Sequence, residues 1–203
     1  MLLINIDGAD GTGKTTLVDG LIDTYSKQGY KITYLHFPRY NTELGTVIKK
    51  VLLKDLDMHP SAFQMCCSAD RLNWSVYEYP KLKDEYDIII VDRHTSSALV
   101  YGSFDGLEAE EILYNDRRIA QPNINIILHA NAETSMTRMS NRDEANTKYE
   151  NLETITKATD IYLHLHEILD NVYYVDATQS KQDVLNSVIN IISVRLKMEA
   201  IDE

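Results

Sequence analysis

Eight residues, Gly8-Ala9-Asp10-Gly11-Thr12-Gly13-Lys14-Thr15, satisfy every fixed position of the pattern G-x-x-x-x-G-K-[ST]. Glycines at these places let the backbone curl so that successive N–H groups point at phosphate oxygens. Lys14 adds a mobile positive charge, and the Thr15 hydroxyl can ligate Mg²⁺. A turn that only caps a helix has no use for Gly-Lys-Thr after a second glycine. The chemistry implied is therefore the binding of a nucleoside triphosphate and its metal, with Gly8 through Thr16 as the phosphate cradle, Thr12 and Thr16 included. Two further segments carry groups of the same kind: Phe37-Pro38-Arg39-Tyr40 and Asp92-Arg93-His94. Guanidinium suits a second phosphate because it stays charged and donates two parallel hydrogen bonds, which makes Arg39, Arg71 and Arg93 candidates. An arbitrary arginine is more often a solvated surface charge. Arg93 departs furthest from that fate, since it follows an apolar run with no gap. Asp92 is either a Mg²⁺ partner or the cap of the next helix.

The elements that must position these groups are legible in the periodicity. Residues 1–7 (MLLINID) and 87–91 (DIIIV) are short apolar runs of strand length, the second β-branched as in a strand buried on both faces. Further strands are predicted at 30–37, where Pro38 ends the pairing, at 124–128 and at 172–175. Between them, Leu17, Leu21, Ile22 and Tyr25 mark a helix over 16–28, and Leu44, Val47, Ile48, Val51 and Leu52 recur at helical spacing. Helices are also predicted from Pro60 towards Pro80 and over 108–119, 132–139, 152–169 and 181–197. Strands alternating with helices predict one α/β domain over 1–203: three layers, a central parallel sheet of about five strands, and ligands at the carboxyl ends of the strands. Residues 140–147 (SNRDEANT) are polar and aperiodic. They predict a mobile lid over roughly 138–150.

Bulk properties narrow the partners. With 203 residues, 44% of them apolar, and a net charge of −11, the chain can bury one good core but is a poor general binder of nucleic acid or anionic membrane. A small anionic ligand met by a few local cations fits better. No apolar run approaches membrane-spanning length, and the chain opens directly on a strand. Cys66 and Cys67 are adjacent and frame no loop, which favours a reducing compartment; a cytoplasmic protein is expected. His164 and His166, two apart, do not share a helix face and make no metal site.

Taken in order, the phosphate loop with Asp10, Phe37-Pro38-Arg39-Tyr40, Ser68-Ala69-Asp70-Arg71, Asp92-Arg93 with Ser97 and Tyr101, and Tyr149-Glu150 resemble the thymidylate kinases over nearly the whole chain. The resemblance implies a phosphate-loop kinase that passes the γ-phosphoryl group of ATP to dTMP, giving dTDP and ADP, with Mg²⁺, in a homodimer. It places Asp10 on the acceptor's 3′-hydroxyl and Tyr101 against the sugar 2′ carbon. Arg39, Arg71 and Arg93 gather at the acceptor phosphate, with Tyr40 nearby, while Phe37 and Ser97 lie near the base. Members split between those with a basic residue beside Asp10 and those with glycine there, whose lid supplies the catalytic arginine. Gly11 resembles the second type, making Arg138, Arg142 and Lys148 lid candidates and Lys14, Arg93 and Arg142 the catalytic set. Two departures bear on the base: Cys67 stands where the family carries a ring that stacks on thymine, and His94 where it carries tyrosine. A relaxed acceptor range that includes dUMP follows, with Gln64 and Asn73 as further candidates near the base. The alternatives are a deoxynucleoside kinase, which needs a carboxylate base near the end of the second strand, and a GTPase-like switch or non-catalytic module. For the latter, the guanine-reading Asn-Lys-x-Asp is absent from the sequence.

Overall fold

The strands at the centre of the molecule are apolar at nearly every position because both of their faces are covered. In the computed structural model, which describes residues 1–140, 149 and 151–202, β1 (Leu2–Asp7), β2 (Ile32–His36), β3 (Ile88–Asp92), β4 (Ile124–His129) and β5 (Val172–Asp176) form one parallel sheet in the order β2-β3-β1-β4-β5. β1 and β3 are buried at every residue and pair in register from Leu2 opposite Ile88 to Ile6 opposite Asp92. Their carboxyl ends therefore open side by side, and the phosphate loop leaves one as Asp92-Arg93 leaves the other.

Strand parity decides what each face sees. Leu2, Ile4 and Ile6, with Ile88, Ile90, Ile126 and Leu128, pack on α1 (Lys14–Lys27) and the closing helix, where Leu17, Leu21, Val188 and Ile192 meet them. Each such side chain contributes roughly 1.5–3 kcal/mol when fully buried. On the opposite face Leu3, Ile89 and Val91 lie under Phe37 and Trp74, and Ile127 packs with Leu99, Val100, Ile155 and Tyr162. Asn5 and Asp7 share that second face. Both are buried: Asn5 Nδ2 donates to Ser96 Oγ and to Asn125 on the neighbouring strand while its Oδ1 has no partner, and Asp7 accepts from Ser96 and Ser97.

The remaining helices are α2 (Glu43–Leu52), α3 (Pro60–Tyr77), α4 (Tyr79–Glu85), α5 (Thr95–Phe104), α6 (Ala109–Asp116), α7 (Ala132–Met139), α8 (Leu152–Leu163) and α9 (Lys181–Asp202). The predicted helix from Pro60 to Pro80 is in fact two. Pro80 sits in the first turn of α4, where its missing N–H would have had no partner. The helix predicted over 152–169 ends at Leu163 and gives way to a short 3₁₀ turn, Leu165–Glu167, whereas α9 runs further than its apolar stripe predicted. Among the described residues no helix is long and apolar enough to cross a membrane.

Candidate functional site

The loop between β1 and α1 takes the shape its glycines permit. Gly8 has φ +138, and a Cβ there would lie 2.2 Å from the Leu128 carbonyl oxygen; Gly11 has φ +81, and a Cβ would lie 2.3 Å from the Ser135 oxygen on α7. Position 11 therefore has room for no side chain, and a cation cannot project from it. Gly13 caps α1 in the left-handed region without a side-chain bond, and the first turn of α1 carries no acid. The helix keeps its N–H groups and positive end for an anion. Below the loop, Asp7 accepts hydrogen bonds from Gly8 N (2.9 Å), Ser96 Oγ (2.5 Å), Ser97 Oγ (2.9 Å) and the Tyr162 hydroxyl (2.7 Å). Lys14 rests on the loop itself: Nζ donates to the carbonyls of Gly8 (2.9 Å) and Ala9 (3.2 Å) and lies 3.9 Å from the Asp10 carboxylate. Burial, and then the Arg93 charge, hold its pKa below the ordinary lysine value, against the pull of Asp10 and Asp92.

A cleft of about 630 Å³ opens from this loop, bordered by β2 and β3 and by α2, α3 and α5. Arg93 stands at its centre with φ +66, a left-handed conformation uncommon outside glycine. Its guanidinium pairs with Asp10 and lies 5.5 Å from the Tyr101 ring centroid. Burial opposes the charge, but Asp10 together with Tyr101, Tyr162 and Asp92 outweighs it and holds the group well above its usual value. Asp92 is buried beside it; Oδ2 accepts a long bond from the Tyr34 hydroxyl (3.4 Å), and Oδ1 has no protein partner. Thr15 lines the same wall.

The other predicted arginines are placed differently. Arg39 is turned out of the cleft: its backbone N–H and its Nε bind the buried Asp70 carboxylate at 2.8 and 2.9 Å, and its guanidinium also pairs with Glu78. Its fork is spent on the fold, and the gathering of three arginines at one phosphate is corrected to this extent. Arg71 does line the cleft, next to Cys67, but it is anchored from behind by Asp116 (2.9 and 3.1 Å) and Ser68 (3.2 Å), while Thr95 donates to the same Asp116 carboxylate (2.9 Å). Burial pushes the Cys67 thiol up to about 12, which makes it an inert wall. Phe37 meets Trp74 edge-on and borders the cleft, as do Tyr40, Ser97 and Tyr101.

His94 is buried behind this wall with its ring edge towards Phe37 and with Nε2 unpartnered. Burial, and next Arg71, push the imidazole from 6.5 down to about 4. An unfolded His94 takes up its proton near 6.5 and the folded one only near 4, so the unfolded state binds more protons between those values. Stability is fully present above the upper value and is lost as pH falls towards the lower. The expected loss from this group is about 2 kcal/mol between pH 7 and pH 5. Urea unfolding of wild type and His94→Phe at both pH values checks it: the variant should show the smaller decrease, and equal decreases would clear His94 of the effect.

Of the lid candidates, Arg138 is on α7, donating to the carbonyl oxygens of Ala177 (2.9 Å) and, at 3.5 Å, Thr12. Ala177 belongs to the segment after β5, so Arg138 bridges that segment and the phosphate loop. Arg142 and Lys148 lie outside the described residues. Tyr149 packs against Tyr101 in a tilted ring contact with centroids 4.8 Å apart, and its hydroxyl donates to Asp105 (3.0 Å). Sequence reasoning passed over Asp7, Asp105, Asp116 and Tyr162. Only Asp7 left a signal, as a polar residue alternating with isoleucine in a buried strand. Among the described residues no group of three or more His, Cys, Asp or Glu is arranged to hold a metal by itself.

Residues 6–188 match the family model described as Thymidylate kinase. A probable thymidylate kinase 1 of Saccharolobus solfataricus is 31% identical over 198 residues, covering 96% of this chain and 98% of that protein. A probable thymidylate kinase of Caldivirga maquilingensis is 26% identical over 198 residues, covering 97% and 95%. Among solved structures, the thymidylate kinase of Candida albicans superposes with a TM-score of 0.73 at 22% identity, covering 96% of this chain and 92% of its own; at that identity the likeness speaks for the fold.

Proposed function

The chain belongs to the thymidylate kinase family of ATP-dependent nucleoside monophosphate kinases, and from that premise we propose that the cleft seats dTMP with its phosphate at Arg93 and its base at Cys67. The observation that carries this reading is the Arg93–Asp10 pair, which joins the phosphate loop to the acceptor cleft at the shared carboxyl end of β1 and β3. An acceptor phosphate would take Arg93 as its counter-ion, and the Asp10 carboxylate would accept from the sugar 3′-hydroxyl. Tyr101, under Arg93 and against Tyr149, walls the sugar. Arg71 suits a neutral carbonyl of the base better than a phosphate, because Asp116 already balances its charge.

The transfer asks little covalent work of the protein. An anionic oxygen of the acceptor phosphate attacks the γ-phosphorus of ATP, the bond to the bridging oxygen breaks, and ADP leaves; no base is needed because the attacking oxygen carries no proton that must be removed. Lys14, Arg93 and the N–H groups of the loop align the two nucleotides and neutralise charge. Thr15 and the unpartnered Oδ1 of Asp92 fit a hydrated Mg²⁺, which when bound would neutralise phosphate charge and orient the triphosphate. A deoxynucleoside kinase would need a carboxylate where β2 ends. The side chains bordering the cleft there are those of His36 and Phe37.

With Cys67 in place of a stacking ring, the base is held loosely and dUMP is accepted beside dTMP. ADP release with ATP and Mg²⁺ against dTMP, dUMP, dCMP, dAMP, dGMP, TMP and thymidine tests this. dTMP and dUMP should be turned over and thymidine should not; preference for thymidine over every monophosphate would overturn the reading. In the same assay Cys67→Phe should lower KM for dTMP about fivefold, as a stacking contact of roughly 1 kcal/mol implies, and should sharpen discrimination among bases. Unchanged values across the panel would place Cys67 away from the base.

A further inference from the structure

Gln64, Cys67 and Arg71 recur at i, i+3 and i+7 on α3 and all three line the cleft, so they form one stripe facing the bound acceptor. Arg71 can only donate hydrogen bonds. A glutamine amide can donate or accept, and rotation of the amide decides which atom the cleft meets. Here that choice is already made. Gln64 Nε2 lies 2.9 Å from Asp105 Oδ2, and a carboxylate oxygen accepts, so the amide nitrogen must be the atom on that side. The side chain is buried, and the Gln64 Cδ would lie 3.9 Å from a Cβ added at Gly102, so the amide rests on the bare backbone of α5. The same Asp105 oxygen receives the Tyr149 hydroxyl at 3.0 Å, which ties this corner to the ring over Tyr101.

We infer that Gln64 reads the base of the acceptor and that Asp105, without touching the substrate, fixes the polarity of that reading: the amide nitrogen is held on Asp105 and the oxygen is left to accept a ring N–H. The inference rests on the proposed seating of a deoxynucleoside monophosphate in this cleft. Thymine and uracil each carry one such donor, at N3, beside carbonyl oxygens that suit Arg71. A base methylated at N3 has the same shape elsewhere but nothing to donate, and it would bury the Gln64 oxygen against a methyl group. Loss of the lock would free the amide to turn and would weaken this discrimination while the walls of the cleft stayed in place.

Calorimetric binding of dTMP and N3-methyl-dTMP to wild type, Gln64→Leu, Asp105→Ala and Tyr149→Phe tests the assignment, with ATP affinity and melting temperature as controls for folding. Wild type should bind dTMP about tenfold or more tightly than the methylated nucleotide, the cost of one buried acceptor left unpaired. That ratio should fall at least threefold in Gln64→Leu and in Asp105→Ala and should persist in Tyr149→Phe, which loses the Tyr149 hydrogen bond to Asp105 but leaves the Gln64 amide locked. An unchanged ratio in Gln64→Leu would remove Gln64 from the base. A change there without one in Asp105→Ala would refute the positioning role, as would an equal collapse in Tyr149→Phe. ADP release from wild type separates this from the reaction itself. The binding pattern without turnover upholds the base reader and overturns the kinase reading, and turnover with an invariant ratio does the reverse.

Discussion

Lys14→Met should reduce turnover by roughly a thousandfold, the scale on which a single preorganised charge at developing phosphate charge acts in a water-poor site, and should leave the fold intact. The two effects separate because of where Lys14 sits. Its ammonium is buried and its pKa is depressed by burial and by Arg93, so the charge is a cost to the folded protein that the Gly8 and Ala9 carbonyls and Asp10 only partly repay. Methionine keeps the length and apolar stem and removes that cost, as replacement of buried charges by apolar groups often does. What it cannot do is leave the loop carbonyls for a β- or γ-phosphate oxygen. Single-turnover rates and melting curves on the same preparation decide it: a rate near that of wild type would mean that Lys14 is a structural pin of the loop, and a large drop in melting temperature would mean that the rate cannot be read as chemistry.

The parts legible in the sequence are those governed by local rules. The loop shape follows from Gly8 and Gly11, whose added Cβ atoms would strike the Leu128 and Ser135 carbonyls, and the sheet follows from runs such as Ile88–Asp92 that only a two-sided burial explains. Arg93 could be placed from sequence because a residue that follows a buried strand without a gap has nowhere to go but its carboxyl end. Arg39 could not, for the complementary reason. Its sequence neighbours say nothing of Asp70, thirty-one positions on, or of Glu78, yet these two acids fix its side chain. Asp105 and Asp116 escaped notice on the same ground: each gains its role from a partner on α3, Gln64 or Arg71, that only the packing of α3 against α5 and α6 brings near. Pairings of this kind leave no period or motif in the chain.

Arg93→Ala should cost acceptor kcat/KM roughly a thousandfold or more while the affinity for ATP changes little. Two losses combine. The acceptor phosphate loses the arginine that pairs with Asp10 of the phosphate loop, and the Asp10 carboxylate loses its pairing with Arg93 at the acceptor end of the loop. Arg93→Lys should recover part of the loss, since an ammonium restores the charge without the two-pronged geometry. The backbone supplies the control. At φ +66 an L side chain is strained, by about 1–2 kcal/mol relative to glycine, so Arg93→Gly should be more stable than Arg93→Ala and equally inactive. That combination, read from urea unfolding and acceptor kinetics together, would show a strained conformation retained for the position of one guanidinium. If Arg93→Gly kept the wild-type acceptor kcat/KM, the phosphate would have to be held elsewhere, and the assignment of the acceptor end of the cleft would fall with it.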